Sequence, residues 1–84
     1  MSVVVHVYTA AGCHLCEPAK VTVQAVCARL DVPLVEVDIT GDAVLEARYR
    51  AELPVVEIAG RRAFKFFVEE HELEARLRRH GVTG

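Results

Sequence analysis

The spacing of apolar residues along the chain switches repeatedly between a strand-like and a helix-like period. Val3-Val4-Val5-His6-Val7-Tyr8 is a β-branched and aromatic run bounded by Thr9-Ala10-Ala11-Gly12, which predicts a buried strand and then a loop. From about Leu15 to Leu30 apolar residues recur at steps of three and four. That places Cys16, Ala19, Lys20, Val23, Cys27 and Leu30 on one side of a helix, facing a core. Pro18 lacks an N–H and crowds the carbonyl four residues back, so it is tolerated only in the first turn, which is expected to be irregular. Asp31-Val32-Pro33 ends the helix. Leu34-Val35-Glu36-Val37-Asp38-Ile39 then alternates cleanly, predicting a second strand, parallel to the first through the helical crossover, with Val35, Val37 and Ile39 inward.

Thr40-Gly41-Asp42 is a turn able to cap a short helix from about Ala43 to Arg50, with Leu45 and Tyr49 one turn apart on its buried face. Leu53-Pro54 opens a third strand, Val55-Val56-Glu57-Ile58, and general X-Pro preferences favour a trans bond there. Ala59-Gly60-Arg61-Arg62 reads as a hairpin turn with solubilising arginines, and Ala63-Phe64-Lys65-Phe66-Phe67 as a fourth strand. Phe64, Phe66 and Phe67 read first as core and edge packing. Of the adjacent pair, one ring must point away from the other and is a candidate lining for a substrate groove. The last helix is expected from about Glu69 to His80. Its acidic start and its basic end, Arg76, Arg78, Arg79 and His80, complement the helix dipole, and Glu72-Arg76 and Glu74-Arg78 are spaced to pair.

Composition narrows the class. With 84 residues, 52% hydrophobic and 26% charged, the chain is expected to form one globular domain spanning 1–84. A domain this small buries only about 60% of its unfolded surface. A net charge of -2 with no long block of one sign implies neither nucleic acid nor an acidic membrane surface as partner. No apolar run reaches the ~18 residues of a membrane span. The first strand follows Met1-Ser2 at once, without a basic and apolar leader, so the expected setting is the cytoplasm. In that setting a Cys-x-x-Cys signals redox or metal chemistry in preference to a structural staple.

The chemistry is concentrated in Gly12-Cys13-His14-Leu15-Cys16, between the first strand and the first helix. Unpaired N–H groups and the macrodipole at a helix N-terminus favour an anion, so a Cys13 thiolate is stabilised and its pKa should fall below the ~8.5 of a free thiol. Two intervening residues bring the second sulfur within disulfide reach, which makes Cys13 the attacking and Cys16 the resolving thiol. The competing readings are a buried inert pair and half of a zinc site, but a zinc ribbon wants a second cysteine or Cys-His pair that is missing. Redox chemistry is favoured. His14 either lowers the Cys13 pKa further as a cation or is a plain exposed loop histidine, and the spacing leaves both open. Cys27 returns to the Cys16 face eleven residues on, ~16 Å along the axis, which is outside disulfide range and marks it as core. His6 shares a sheet face with Val4 and Tyr8. With Glu36, Glu57 and Lys65 it reads as a polar patch left uncovered by the short second helix, in preference to a proton relay to Cys16.

The element order, with Cys-x-x-Cys after strand one and Leu-Pro before strand three, resembles the thioredoxin fold in its glutaredoxin-sized form over nearly the whole chain. More closely, Val5-His6-Val7-Tyr8-Thr9, Gly12-Cys13-His14-Leu15-Cys16-Glu17, Glu36-Val37-Asp38-Ile39, Arg48-Tyr49 and Leu53-Pro54-Val55 resemble the glutaredoxin-like family of short bacterial proteins. The resemblance implies an α/β fold of order β-α-β-α-β-β-α, with a four-stranded mixed sheet and helices on both faces. It also implies Cys13 as nucleophile, Cys16 as resolving thiol and a cis Pro54 beside them. The activity implied is dithiol–disulfide exchange on protein disulfides, by a monomer without a bound cofactor or metal. Gly12 and Leu53 are the expected substrate contacts, Leu53 through its backbone. Two alternatives stand beside this: a non-catalytic, redox-sensitive adaptor domain, and a glutathione-supported iron–sulfur carrier. The chain departs from glutaredoxins where they hold glutathione. Ala10 and Ala11 replace a lysine and a proline, Glu52-Leu53-Pro54 replaces a threonine-valine-proline step, and Phe66-Phe67-Val68 replaces a glycine pair. Glutathione is therefore expected to be a poor partner, and a thioredoxin-reductase-like donor a better one.

Overall fold

The first strand is the axis of the sheet, and its alternation explains where everything else packs. In the computed structural model, which describes residues 3–83, β1 (Val5–Thr9) buries Val5 and Val7 on one face and turns His6 and Tyr8 to the other. Met1, Ser2 and Gly84, the ends of the expected 1–84 domain, lie outside the described residues. β2 (Leu34–Asp38) pairs parallel with β1 on one side, and β3 (Val55–Ile58) pairs antiparallel on the other. β4 (Arg61–Lys65) pairs antiparallel with β3, giving the order β2-β1-β3-β4 in a four-stranded mixed sheet. The β3–β4 turn holds Ala59 at φ 53° and Gly60 at φ 80°. Two consecutive left-handed residues match the twist of a two-residue hairpin, and glycine takes that conformation without strain.

Helices α1 (Cys16–Leu30) and α3 (Glu70–Arg79) cover one face, where Val23, Val26, Cys27, Leu30, Leu73 and Leu77 pack on Val5, Val7, Val56 and Ile58. Helix α2 (Ala43–Tyr49) covers part of the other face, where Tyr49 and Leu45 pack with Tyr8, Val37, Ile39 and Val55. Pro18 is the third residue of α1, where its missing N–H costs no intrahelical bond. Asp31 closes α1 in a left-handed conformation, and the Val32 N–H reaches back to the Cys27 carbonyl at 2.8 Å, folding Val32 into the core. Asp42 caps α2 by accepting the Leu45 N–H at 3.0 Å, and Glu69 caps α3 by accepting the Glu72 N–H at 2.7 Å. Arg29 of α1 bridges Glu70 and Glu74 of α3 at 2.8 and 2.5 Å. No helix among the described residues is long and apolar enough to cross a membrane.

Several expectations need correction. The apolar run from Val3 enters the sheet only at Val5. Val35 faces the α2 side as its alternation requires, yet it is 42% exposed, because β2 is an edge strand and the seven-residue α2 does not reach it. Lys20 is not core: its side chain emerges beside Glu17 at the edge of the buried stripe, and Val26 takes the core place instead. Arg76 lies 5.5 Å over the Phe64 ring in place of the expected pair with Glu72. The fourth strand stops at Lys65. Phe66 turns to φ 68°, donates its N–H to the Pro54 carbonyl at 2.9 Å, and leaves both Phe66 and Phe67 exposed.

Candidate active site

The loop after β1 is held from two sides before it delivers the cysteines. Ile39 donates its N–H to the Thr9 carbonyl at 2.8 Å, and the Thr40 hydroxyl accepts the Ala11 N–H at 2.9 Å. Gly12 then takes φ 78°; a Cβ there would meet nothing, so the backbone angle and not space asks for glycine. Cys13 follows, its N–H bonded to the Ala10 carbonyl at 3.3 Å. Helix α1 begins three residues later than Cys13, at Cys16, whose N–H caps the Cys13 carbonyl at 3.3 Å. Cys13 thus lies in a turn ahead of the helix start, one step further out than the sequence pattern places it.

The two sulfurs are joined in a disulfide, with Cα atoms 5.3 Å apart. The pair is asymmetric. Cys13 is half-buried at the surface, whereas Cys16 is 1% exposed and packs with Ile39, Tyr49, Leu53 and Val55. A cleft of about 410 Å³ opens over them, lined by the Thr9–His14 loop, Cys16, Glu17, Lys20 and Asp38. His14 is exposed in the turn and lines this cleft. The Thr40 side chain and N–H hold the Asp38 carboxyl below its ordinary range, with a smaller contribution from the Lys20 charge.

On the other side of Cys13 a second groove of about 180 Å³ is formed with Ala10, Ala11, Gly12, Arg50 and Leu53. The Leu53–Pro54 peptide is cis, as the resemblance implies and against the general X-Pro preference. Leu53 and Pro54 are buried at the end of a short 3₁₀ turn, Arg50–Glu52. The sheet thus brings Gly12, Cys13 and Leu53, widely separated in sequence, to one groove. A third hollow is apolar, formed by Leu15, Pro18, Ala19, Thr22 and Phe66-Phe67-Val68. Leu15, Phe66 and Phe67 are 40%, 38% and 71% exposed, so an apolar rim is built around Leu15, the residue that precedes Cys16.

Sequence reasoning missed the polar cluster beneath α2. Glu57 is 7% exposed and accepts hydrogen bonds from the Tyr49 hydroxyl at 2.7 Å and the Tyr8 hydroxyl at 3.2 Å, while the two rings stack 4.1 Å apart. Burial first, and then the hydrogen bonds with Tyr49 and Glu57 and the nearby carboxylate, push the Tyr8 phenol above its ordinary range; burial and the Glu57 hydrogen bond raise that of Tyr49, against the opposing Tyr8 hydrogen bond and Arg48 charge. Arg62, far from being a free turn charge, packs over the Tyr49 ring and bonds Glu52 and the Arg48 carbonyl. The expected uncovered patch therefore divides. Glu57 is buried under Tyr49, Glu36 lies on the opposite face bonded to Gln24, and Lys65 pairs with Glu52 at 3.2 Å. His6 pairs in register with Glu57, and its Nδ1 is buried with no hydrogen-bond partner among the described residues. The Tyr8–Glu57 side-chain contact runs diagonally across the β1–β3 pairing, so it follows only once β1 is known to lie beside β3. Among the described residues no group of three or more His, Cys, Asp or Glu forms a metal-binding arrangement.

Comparison with known proteins bears on the family and the fold. The sequence model of the Glutaredoxin-like domain (DUF836) matches residues 4–78. Among solved structures, chloroplastic thioredoxin z is 18% identical and superposes with a TM-score of 0.79, covering 98% of this chain and 80% of that one. Thioredoxin-2, described as a component of the malaria parasite protein secretion machinery, is 19% identical with a TM-score of 0.76, covering 94% and 84%. The structural-genomics protein XcR50 from X. campestris is 26% identical with a TM-score of 0.70, covering 94% and 95%. No curated protein matches the chain in sequence.

Proposed function

The chain belongs to the glutaredoxin-like domain family, and from that premise we propose that it is a dithiol–disulfide oxidoreductase acting on protein disulfides in a reducing, cytoplasmic setting. The observation that carries the reading is the asymmetry of the disulfide: Cys13 half-buried at the mouth of a cleft, Cys16 sealed beneath it. Exchange needs one sulfur that a substrate can reach and a second that only the first can reach. In the reductive direction the Cys13 thiolate attacks a substrate disulfide and forms a mixed disulfide, which Cys16 then breaks. Arg50, Gly12 and Leu53 flank Cys13 on one side, and the apolar rim of Leu15, Phe66 and Phe67 flanks the pair on the other. That surface suits an extended polypeptide with apolar side chains next to its cysteine. Glutathione fits it poorly: no lysine stands at Ala10, and bulky rings occupy the approach at Phe66 and Phe67. The test is the reduction potential of the Cys13–Cys16 pair together with turnover on a disulfide-bonded reporter protein. A value near about -270 mV marks a reductant and one near about -120 mV an oxidant. Absence of any turnover with protein disulfides, in either direction, refutes the reading.

A further inference from the structure

Two cysteines on α1 share one degree of burial and differ in what stands one helical turn away. Cys16 is 1% exposed and Cys27 is 2% exposed. Cys27 packs in an apolar cluster with Val23, Val26 and Leu30, and burial pushes its thiol up from 9.0 to about 11. A thiol in that state is inert near neutrality, because only the thiolate attacks. A resolving cysteine sealed equally well faces the same penalty and still has to ionise.

Cys16 has what Cys27 lacks. It lies in the floor of the cleft of about 410 Å³, beneath Cys13, and the wall of the same cleft carries Lys20. Lys20 follows Cys16 by four residues, so their Cβ atoms lie on one helix face about 5–6 Å apart. The Lys20 side chain is 29% exposed, so its stem lies along the protein and its charge is only partly screened by water. The other titratable side chains at the cleft are Glu17 and His14 from the start of α1 and the turn before it, and Asp38 from β2. From the α2 side the groups packed nearby are the Tyr8 and Tyr49 hydroxyls, both engaged by Glu57. Glu17 is 77% exposed and 3.8 Å from Lys20, and Asp38 is kept ionised by Thr40. Both carboxylates oppose a thiolate at Cys16, and Lys20 lies among them as the offsetting cation.

Building on the oxidoreductase reading, we propose that Lys20 is a positioning residue of the exchange cycle, whose ammonium stabilises the Cys16 thiolate and so sets the rate of substrate release. In that step Cys16 Sγ, its proton passed to water, attacks Cys13 Sγ of the mixed disulfide. The Cys13–Cys16 bond forms as the bond between Cys13 and the substrate sulfur breaks. The substrate leaves as a thiolate and takes up a proton, so two electrons have passed from the protein dithiol to the substrate disulfide.

A unit charge within about 6 Å of a sulfur at an effective dielectric of about 20 lowers a thiol pKa by about two units; for a lysine that shares the cleft wall and is partly screened by water, a shift of about one unit is the expected order. The experiment has two arms. First, Cys16 is titrated by thiolate ultraviolet absorbance in Cys13→Ser/Cys27→Ala protein, with Lys20, Lys20→Met or Lys20→Arg. Lys20→Met is expected to raise the Cys16 midpoint by about one pH unit and Lys20→Arg to leave it near the parent value. Second, the substrate-release phase of a single turnover on a disulfide peptide is followed against pH in protein with both motif cysteines. Because nucleophilicity rises with thiol basicity, release near pH 7 should slow only about threefold in Lys20→Met, with the pH profile displaced upward and rescued by arginine. An unchanged Cys16 midpoint in Lys20→Met overturns the proposal, as does an equal shift in the Met and Arg variants, which would mark a packing effect. If the parent protein carries out no exchange, the oxidoreductase reading fails by itself, and the titration still decides what Lys20 does to Cys16.

Discussion

Cys27 should make stability depend on alkaline pH in a way that one substitution removes. Its thiol titrates at about 11 in the folded chain against an ordinary 9.0, because burial penalises the thiolate. The folded value lies above the unfolded one, so the neutral thiol contributes fully below pH 9.0 and that contribution is lost as pH rises towards 11. At pH 10 the unfolded chain has largely released this proton and the folded chain has not, and linkage puts the loss at about 1.4 kcal/mol. Cys27→Ala removes one buried sulfur, roughly a methylene in size, from the α1–sheet core, costing about 1 kcal/mol below pH 9. The two effects oppose each other. Urea denaturation of the oxidised wild type and of oxidised Cys27→Ala, at about pH 8 and about pH 10, measures both, since the joined Cys13 and Cys16 do not titrate and the tyrosine contributions cancel. The wild type should be the more stable by about 1 kcal/mol at the lower pH, and should lose that advantage at the higher one. An equal gap at the two pH values refutes the argument, because it would mean the buried thiol ionises as easily in the folded chain as in the unfolded one.

Further outcomes follow from the site. In reduced protein near neutral pH, iodoacetamide should modify Cys13 before Cys16, and Cys16→Ser should accumulate a mixed disulfide through Cys13; mass mapping that finds Cys16 labelled first reverses their roles. Tyr49→Phe takes the shorter of two hydrogen bonds from the buried Glu57 and should cost about 1.5–3 kcal/mol in denaturant melts, with Tyr8→Phe costing less. Equal and negligible losses would show that the two tyrosine hydroxyls do not hold the buried Glu57 in place. Calorimetric titration of Cys16→Ser with glutathione disulfide should show weak or no capture; tight capture with fast glutathione-coupled turnover would restore an ordinary glutaredoxin reading.

What the sequence made legible was governed by local periodicity. The cysteine pair, the turn that caps α2, the start and end of α3 and, apart from Lys20 and Val26, the buried stripe of α1 each depend on residues close together in sequence, and the helix ends lie within about a residue of their expected places. Cys27 is in the core as its helical phase requires. What failed depended on neighbours far away in sequence. Alternation gave Val35 the correct face but could not tell that β2 is an edge or that α2 stops short of it. The Tyr8–Glu57–Tyr49 cluster joins three elements and exists only because β3 inserts beside β1. The same holds for the cleft: Lys20 and Asp38 belong to neighbouring elements with no shared pattern, and the parallel β1–β2 pairing brings them to one wall.

The end of β4 shows how local and distant forces trade against each other. The β-propensity of Phe66 and Phe67 argues for continuing the strand, and the pattern alone extends it to Phe67. Continuation would carry the chain past the start of β3, where Pro54 has no N–H to offer and only its carbonyl can bond. The chain instead turns at Phe66, whose N–H takes that carbonyl at 2.9 Å, while the Phe67 N–H bonds the Lys65 carbonyl at 2.7 Å. The turn needs φ 68°, a conformation that costs an L residue about 1–2 kcal/mol and costs glycine nothing. A phenylalanine there trades backbone ease for an aromatic ring, set with Phe67 beside Leu15 and Pro18 at the start of α1. Pro54 therefore shapes two parts of one surface: through Leu53 it forms the polar-backbone side of the Cys13 groove, and through its carbonyl it sets the turn that exposes the apolar side. On the proposed oxidoreductase reading, a substrate spanning both sides would present backbone and apolar side chains together, as an extended polypeptide does.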